Sequence, residues 1–394
     1  MRILIHVPNI VLDGRKGDSI HARELSENLS QLGNRVDVIC KLERGDYHAS
    51  TWAVVKRVRA PSVRVVDFLW TTIYGLFLSL AISRKHHYDL IYTRAGFSAS
   101  AYLLSRLTRV PYITEVNSLI WDDTKIGSAS WLGKVHGYFL AFIDGKACRR
   151  SQHLIAVTPG IKKALAADLG MELDKITVVP NGANTDLFKP ITSDEAKQEL
   201  HLSGAGYFVA FVGNLVAWQG VEYLIKSIHF VVKEIGETKF LIVGDGPMKQ
   251  ELVELGRQLG VSDEIIFVGR VPYEKVPLYI NASHLCVAPF TRARNERCGL
   301  SPLKIHEYMA CGKPVVASRI ANLEHIEQID AGILVEPENP QELAVAIAKL
   351  LKDKALRQQM GENGRKYVVQ NHSWGSIARR IAEVCEHVVK VSRE

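Results

Sequence analysis

Short apolar runs alternate with amphipathic stretches along this chain, and the alternation runs its course and then restarts. Ile3–Val7 and Val36–Cys40 read as buried parallel strands on either side of an amphipathic helix from about Ser19 to Leu32. Pro8 is expected to close the first strand, because proline cannot donate to a ladder. Leu90–Thr93, Tyr112–Val116 and His153–Val157 extend the first series, each preceded by a helical stretch. Tyr207–Val212, Lys239–Val243, Glu264–Phe267, Leu285–Ala288 and Pro314–Ala317 form the second. Such β–α alternation predicts an α/β protein of two Rossmann-like, doubly wound domains, and 394 residues suffice for two. The junction is expected at the Pro-, Asn- and Gly-rich stretch PNGANTDLFKP, Pro180–Pro190, giving domains of 1–185 and 186–373. Open α/β sheets bind ligands at the carboxyl ends of their strands, so the expected site is a cleft between the domains.

Charge is uneven along the chain. Residues 1–190 hold 25 Lys and Arg against 17 Asp and Glu, or +8, and the remainder holds 24 against 25, or −1, which together make the net +7. A basic first domain attracts anionic partners such as phospholipid or a phosphorylated acceptor, and a solvated basic surface is the plain alternative. Nothing resembles a helix-turn-helix, a zinc finger or an aromatic RNA-binding platform, so nucleic acid is not an expected partner. The six cysteines are scattered, with no Cys-x-x-Cys pair, which fits a reducing compartment and argues against structural zinc. MRILIHVPNI reads as a first strand and not as a leader. A cytoplasmic location, with peripheral attachment to the cytoplasmic membrane face as its variant, is the expectation.

Phe68–Ser83 runs sixteen residues without a charge, short of the roughly 20 that a spanning helix needs. It reads as a buried helix. Arg57, Arg59, Arg64, Arg84 and Lys85 flank it and keep an interfacial reading open.

The sharpest local signal is GLSPLKIHEYMACGK, Gly299–Lys313, followed by the strand PVVAS. A small-residue loop with Pro302 leads into a helix beginning near Leu303 and ending at Gly312. Backbone N–H groups at such a helix start suit a diphosphate, and Glu307, one turn inside, can offer a carboxylate to two vicinal hydroxyls. An ordinary capped helix with a surface Glu would look the same in isolation.

Four blocks in order carry a resemblance. They are VVPNGANTDLF (Val178–Phe188), VGDGP (Val243–Pro247), FVGRVPYEKVPLYINASHLCVAPF (Phe267–Phe290) and EYMACGKPVV (Glu307–Val316). The chain resembles family 4 glycosyltransferases of the GT-B fold over nearly its whole length. The resemblance implies that Glu307 binds the donor's ribose hydroxyls and that Gly299, Leu300, Ser301, Pro302 and Leu303 meet the diphosphate and sugar. It implies that the Arg270–Val271 segment holds the base through its main chain. The loop bearing Gly14 and Gly17, before the helix carrying His21, would approach the β-phosphate or the acceptor. The last helix, about 374–394, would pack back onto the first domain.

Three positions depart from the family pattern. The first carboxylate, eight residues before the second, is Gly299 here. The basic pair that neutralises the diphosphate is replaced by Asn214 and Gln219, and a His of the first domain by Asn117, in ITEVNS. A diphosphate left unpaired in a closed site costs several kcal/mol. Lys304 at the helix start, with Arg292, Arg294 and Arg297 in the loop before it, are the expected replacements, with a solvated basic loop as the alternative. The E-V-N segment with upstream Arg94, together with S-P-L-K, resembles a recurring variant of the family.

No acidic pair has the spacing of a double-displacement glycosidase, and no Asp-x-Asp marks a divalent-cation site. The resemblance implies metal-independent transfer with retention, no cofactor beyond the nucleotide-diphosphate sugar, and an acceptor hydroxyl on a glycan or lipid-linked molecule. Lys304, Glu307 and Asn117 are the expected catalytic residues, with Arg94, His21 and Asn117 on the acceptor side. A nucleotide-sugar epimerase and a non-catalytic scaffold that binds a partner or membrane are the alternatives. A Rossmann dehydrogenase is not expected, because no Gly-x-Gly-x-x-Gly follows the first strand.

Overall fold

The computed structural model describes residues 1–14, 16–42, 53–58, 64–119, 131–202 and 206–394. The chain divides into two compact units, one of Met1–Asn181 with Trp374–Glu394 and one of Gly182–Ser373.

In the first unit the order is β1 (Arg2–Val11), α1 (Gly17–Gln31), β2 (Arg35–Lys41), β3 (Ala53–Arg57), α2 (Arg64–Ser83), β4 (Leu90–Arg94) and α3 (Ser98–Thr108). It continues through β5 (Tyr112–Val116), α4 (Trp131–Cys148), β6 (His153–Ala156), α5 (Pro159–Leu169) and β7 (Ile176–Val178). The seven strands form one parallel sheet in the order β3-β2-β1-β4-β5-β6-β7. β1 is central, with Ile3 beside Val36 on one flank and Leu90 on the other. Ile3, Leu4 and Ile5 are buried, as residues of a strand covered by helices on both faces must be. Order reverses between β1 and β4, so the loops after these strands part at the carboxyl edge and leave room there.

Pro8 does not end β1, contrary to the sequence reading. The β4 pairing stops at His6, and on the β2 side the register shifts between His6 and Val11. Pro8 sits in that irregular stretch, where its missing N–H costs no ladder bond. The reading of Phe68–Ser83 as a buried helix is also corrected. Tyr74, Leu76, Leu78, Leu80 and Ile82 pack inward, but Trp70, Ile73 and Phe77 face outward. The C-terminal helix (Trp374–Arg393) packs along α1, where the Trp374 ring meets the His21 ring edge-on at 5.0 Å.

The second unit runs α6 (Ser193–Glu199), β8 (Tyr207–Val212), α7 (Val221–Ile235), β9 (Thr238–Val243), α8 (Lys249–Gln258), β10 (Ile265–Gly269), α9 (Val276–Ala282) and β11 (Leu285–Ala288). Then follow α10 (Arg292–Asn295), α11 (Leu303–Ala310), β12 (Val315–Ser318), α12 (His325–Gln328), β13 (Gly332–Val335), α13 (Pro340–Lys352) and α14 (Lys354–Asn371). Its parallel sheet has the order β10-β9-β8-β11-β12-β13, with β8 central and the reversal between β8 and β11. Phe211 and Phe240 lie fully buried in the core beneath α7 and α13.

One side chain ties distant parts of this unit. Arg365 of α14 donates from Nη1 to the carbonyls of Thr185 (3.1 Å), Phe188 (2.6 Å) and Ala310 (2.7 Å). Ala310 ends α11, so the guanidinium satisfies a carbonyl that the helix itself leaves without a partner.

Candidate functional site

β8 ends at Val212, and the loop beyond it must pass between α11 and the turn after β9. Gly213 makes this possible. Its φ is +152°, and a Cβ there would lie 2.4 Å from the Lys304 Nζ. The chain then makes a short 3-10 turn, Ala217–Gln219, which brings the Gln219 side chain back towards the same place. Lys304, second residue of α11, points into this nook and donates from Nζ to Gln219 Oε1 at 2.6 Å.

The ammonium also lies 4.0 Å from the centre of the Phe211 ring and 5.5 Å from that of Phe290. Lys304 is 9% exposed, so its charge has lost most of its hydration. Losing water costs several kcal/mol, and one neutral hydrogen bond and two ring faces offset only part of that. Burial accordingly lowers the Lys304 pKa to about 7, against an opposing pull from Glu307. Lys304, the expected replacement for the basic pair, is thus anchored on one of the two positions that differ from the family pattern, Gln219. An added anion would be the missing counter-charge. Asn214, the other position, is exposed at the loop.

Glu307 lies three residues further along α11 and is buried. Its Oε1 accepts from the Tyr273 hydroxyl at 3.0 Å, and the Tyr273 ring leans on Phe188 at 5.2 Å. Those contacts fix the carboxylate's rotamer before any ligand arrives. The first-turn N–H groups of α11 have no carbonyl four residues back, and Pro302 caps the helix without a side-chain bond. The loop before it is held in place, with Leu300 N donating to Ala321 O at 3.0 Å and Asn322 Nδ2 to Leu300 O at 2.8 Å. Ser301, Pro302 and Leu303 complete the half-buried path into the helix.

The structure accounts for glycine at 299. Its φ of +65° lies in the left-handed region, and a Cβ would sit 2.7 Å from Ala321 O. A glutamate side chain would start into backbone there. Arg270 is exposed and Val271 half-buried just beyond β10. Among the arginines of the preceding loop, Arg292 is engaged elsewhere: its Nη2 reaches Glu336 at 2.5 Å and its Nη1 Glu296 at 3.8 Å. Those exposed carboxylates already answer part of the Arg292 charge. Arg297 is exposed, and the Arg294 side chain lies outside the described residues.

In the first unit the expected acceptor-side residues converge on the carboxylate of the E-V-N segment, to which the sequence alone assigned no role. Glu115, next to last in β5, is 1% exposed. His21 Nε2 lies 3.1 Å from its Oε1, and Arg94 Nε 3.7 Å from the same oxygen. The Asn117 amide and the Tyr92 hydroxyl donate to its two oxygens. Burial alone would raise the Glu115 pKa, but His21, Arg94 and the two hydrogen bonds outweigh it and hold the carboxyl below its ordinary value. Burial lowers His21 to about 4, against the pull of Glu115, so near neutral pH its ring is uncharged. Neutral His21 then contributes to Glu115 as an N–H donor, and Arg94 supplies the full charge. Donation from Nε2 fixes the tautomer and leaves Nδ1 as a buried acceptor without a partner. Gly17 opens α1 four residues earlier, exposed at the helix start.

Tyr273 and Phe211 were likewise missed, since nothing in sequence marks which ring will face a carboxylate or an ammonium. His306, next to Glu307, stacks on His372 with ring centres 4.2 Å apart and backs α11 from behind. Burial, then His372 and His325, push its pKa well below the ordinary value. Among the described residues no group of three His, Cys, Asp or Glu side chains is placed to hold a metal ion. Every cysteine but Cys298 is buried.

Two parallel-sheet, Rossmann-like units of this kind define the GT-B architecture. Sucrose-phosphate synthase from Thermosynechococcus elongatus matches with a TM-score of 0.81 at 23% identity, covering 99% of both chains. HepE of Anabaena in complex with UDP-glucose matches with a TM-score of 0.75 at 18% identity, over 98% of this chain and 100% of that one. Residues 16–187 match the family model of Glycosyltransferase Family 4, and residues 192–367 that of Glycosyl transferases group 1. A D-inositol 3-phosphate glycosyltransferase of Acidothermus cellulolyticus is 31% identical over 416 residues, 97% of this chain and 88% of its own. The chain belongs to the family 4 glycosyltransferases and is an enzyme of the GT-B, group 1 type. Neither the epimerase nor the non-catalytic reading finds support among these likenesses.

Proposed function

We propose that this enzyme transfers a sugar from a nucleotide-diphosphate donor to an acceptor hydroxyl with retention of anomeric configuration and without a metal. The observation that carries the reading is the Lys304 ammonium. It is held by Gln219 against Gly213 with no carboxylate among the described residues within salt-bridge distance, at the start of the helix that bears Glu307. A diphosphate lying there would receive that charge and the first N–H groups of α11, while Glu307 takes the ribose hydroxyls. The UDP-glucose bound by HepE has the same chemistry as this expected donor.

The reaction breaks the bond from the sugar's anomeric carbon to the leaving phosphate oxygen and forms one to the acceptor oxygen on the same face. The acceptor's proton passes to the departing phosphate. The protein's task is to stabilise charge that grows on the leaving group, and Lys304 with the helix start does this where a divalent cation otherwise would. In the first unit, Asn117, Arg94 and His21, fixed around Glu115, line the acceptor side, and Gly17 opens the α1 start to the β-phosphate or the acceptor. The basic excess of that half suits an anionic or lipid-linked glycan acceptor. The cytoplasm, where nucleotide sugars are made, is the expected compartment.

Calorimetry with UDP and GDP, followed by a panel of their sugars with donor loss read by mass spectrometry, tests the reading. One nucleotide should bind, and one sugar should be consumed equally with and without EDTA. A product whose anomeric configuration is inverted, or activity abolished by EDTA and restored by a divalent cation, would refute the mechanism. Absence of any nucleotide binding would refute the donor site itself.

A further inference from the structure

Three helices of the first unit carry more apolar surface than their packing uses. α2, α3 and α4 lie side by side, α2 against α3 and α3 against α4. Their inward residues, among them Tyr74, Leu78 and Leu104, are spent on the sheet. Outward, α2 presents Trp70, Ile73 and Phe77, and α3 presents Leu103 and Leu107. α4 presents Tyr138, Phe139, Phe142 and Ile143. Phe77 is 65% exposed, Phe139 60%, and Leu107 and Phe142 59% each. Single exposed apolar residues need no explanation, but nine large ones on three adjoining helices do.

Each stripe runs into cations at the same end of its helix. Phe77 lies seven residues before Arg84, which is followed by Lys85. Leu103 and Leu107 lead to Arg106 and Arg109, and Phe142 and Ile143 lead to Lys146, Arg149 and Arg150, all exposed. Lys146 already folds its Nζ over the Phe142 ring, 4.3 Å from the centre. Cations at helix C-termini also answer the helix dipole, which alone would leave the apolar stripes unaccounted for. Among the described side chains of the three helices the single carboxylate is Asp144, buried, accepting from Gly96 N and Ser98 N at the start of α3. No described helix is long and apolar enough to cross a membrane.

We infer that the outer face of α2, α3 and α4 is a docking surface for an anionic lipid bilayer, with its aromatic and aliphatic residues in the interface and its cations among the headgroups. Charge complementarity selects this occupant. A second copy of the chain would bring seven like charges face to face, whereas anionic headgroups match them and basic stems can snorkel between. The surface involves none of the donor residues, so it stands whether or not the donor reading does.

Co-sedimentation with vesicles of phosphatidylcholine alone, and of phosphatidylcholine with one-third phosphatidylglycerol, tests it. The chain should pellet with the anionic vesicles, lose most of that binding in high salt, and remain in solution with the neutral ones. Phe77→Ser with Phe139→Ser and Phe142→Ser should cut partitioning at least about tenfold, and so should Arg84→Glu with Lys85→Glu, Lys146→Glu and Arg149→Glu. Circular dichroism and nucleotide affinity should be unchanged in both variants. Equal pelleting with both vesicle types, or binding that survives both variants, would overturn the inference. So would light scattering that shows a dimer which the phenylalanine variant converts to a monomer.

Discussion

With the donor bound as proposed, Lys304 would make its binding a proton-linked event. In the free enzyme burial lowers its pKa to about 7, so at pH 7 about half of the molecules carry the ammonium, and at pH 9 about one in a hundred. A diphosphate beside Nζ favours the charged form and raises that pKa on binding. Above pH 7 each donor bound must then draw in a proton, about half of one at pH 7 and close to one at pH 9. The apparent donor Kd should rise about fifty-fold between pH 7 and pH 9, roughly 2.3 kcal/mol, and stay nearly flat below pH 6.5. Stability of the free enzyme moves the other way. A lysine with a depressed folded pKa leaves the unfolded chain binding more protons, so this group's contribution improves as pH rises from about 7 towards the ordinary 10.5. The assay is titration calorimetry with a nucleotide sugar, whose diphosphate diester does not itself titrate in this range. It is repeated in buffers of different ionisation enthalpy, which count the protons directly. Lys304→Met should bind weakly at every pH and show no proton uptake from this site. Wild-type affinity constant from pH 7 to pH 9, with no buffer-dependent heat, would refute the reasoning.

Two further outcomes follow from the same helix. Glu307→Gln should weaken donor binding by about ten- to a hundredfold, the worth of a charge-assisted hydrogen bond, with little change in Tm, and unchanged affinity would remove Glu307 from the site. Gly299→Glu, which restores the family's usual carboxylate, should lower stability by about 1–3 kcal/mol without raising donor affinity, because φ at this position is +65° and Ala321 O blocks the side chain; a thermal melt and a donor titration check both halves.

The double series of strands was legible because parallel strands covered on both faces are short, continuous apolar runs, and the second unit's β8 and β11 fall where the periodicity puts them. β3 and β13 escaped. AVVKR ends in two cations and GILV follows directly on a turn, so neither stands out as a buried run. Phe68–Ser83 was legible as a helix but not as a half-exposed one, since a stretch apolar on every side hides which side the sheet will use. Within the site, Lys304 and Glu307 could be found because they share one helix and a fixed spacing. Gln219 looked like a loss in sequence, and its value as the anchor for Lys304 lies 85 residues away along the chain. The role of Glu115, the first residue of E-V-N, was hidden for a similar reason. A carboxylate in a strand reads as an interruption until His21, Arg94 and Asn117 are seen to gather on it.

Arg365 belongs to no site, yet it governs how α11 is presented. One guanidinium holds the carbonyls of Thr185, Phe188 and Ala310, so it acts as a strut between the tail of that helix and the segment that leads into the unit. Phe188 in turn braces Tyr273, and Tyr273 steadies Glu307. The precision of the far end is therefore inherited from the near one. A lysine at 365 would keep the charge but lose the second nitrogen, Nη2, which also reaches the Thr185 carbonyl at 3.1 Å. Damage at a residue remote from every reacting atom would then pass, in a kinetic screen, for a fault in donor recognition.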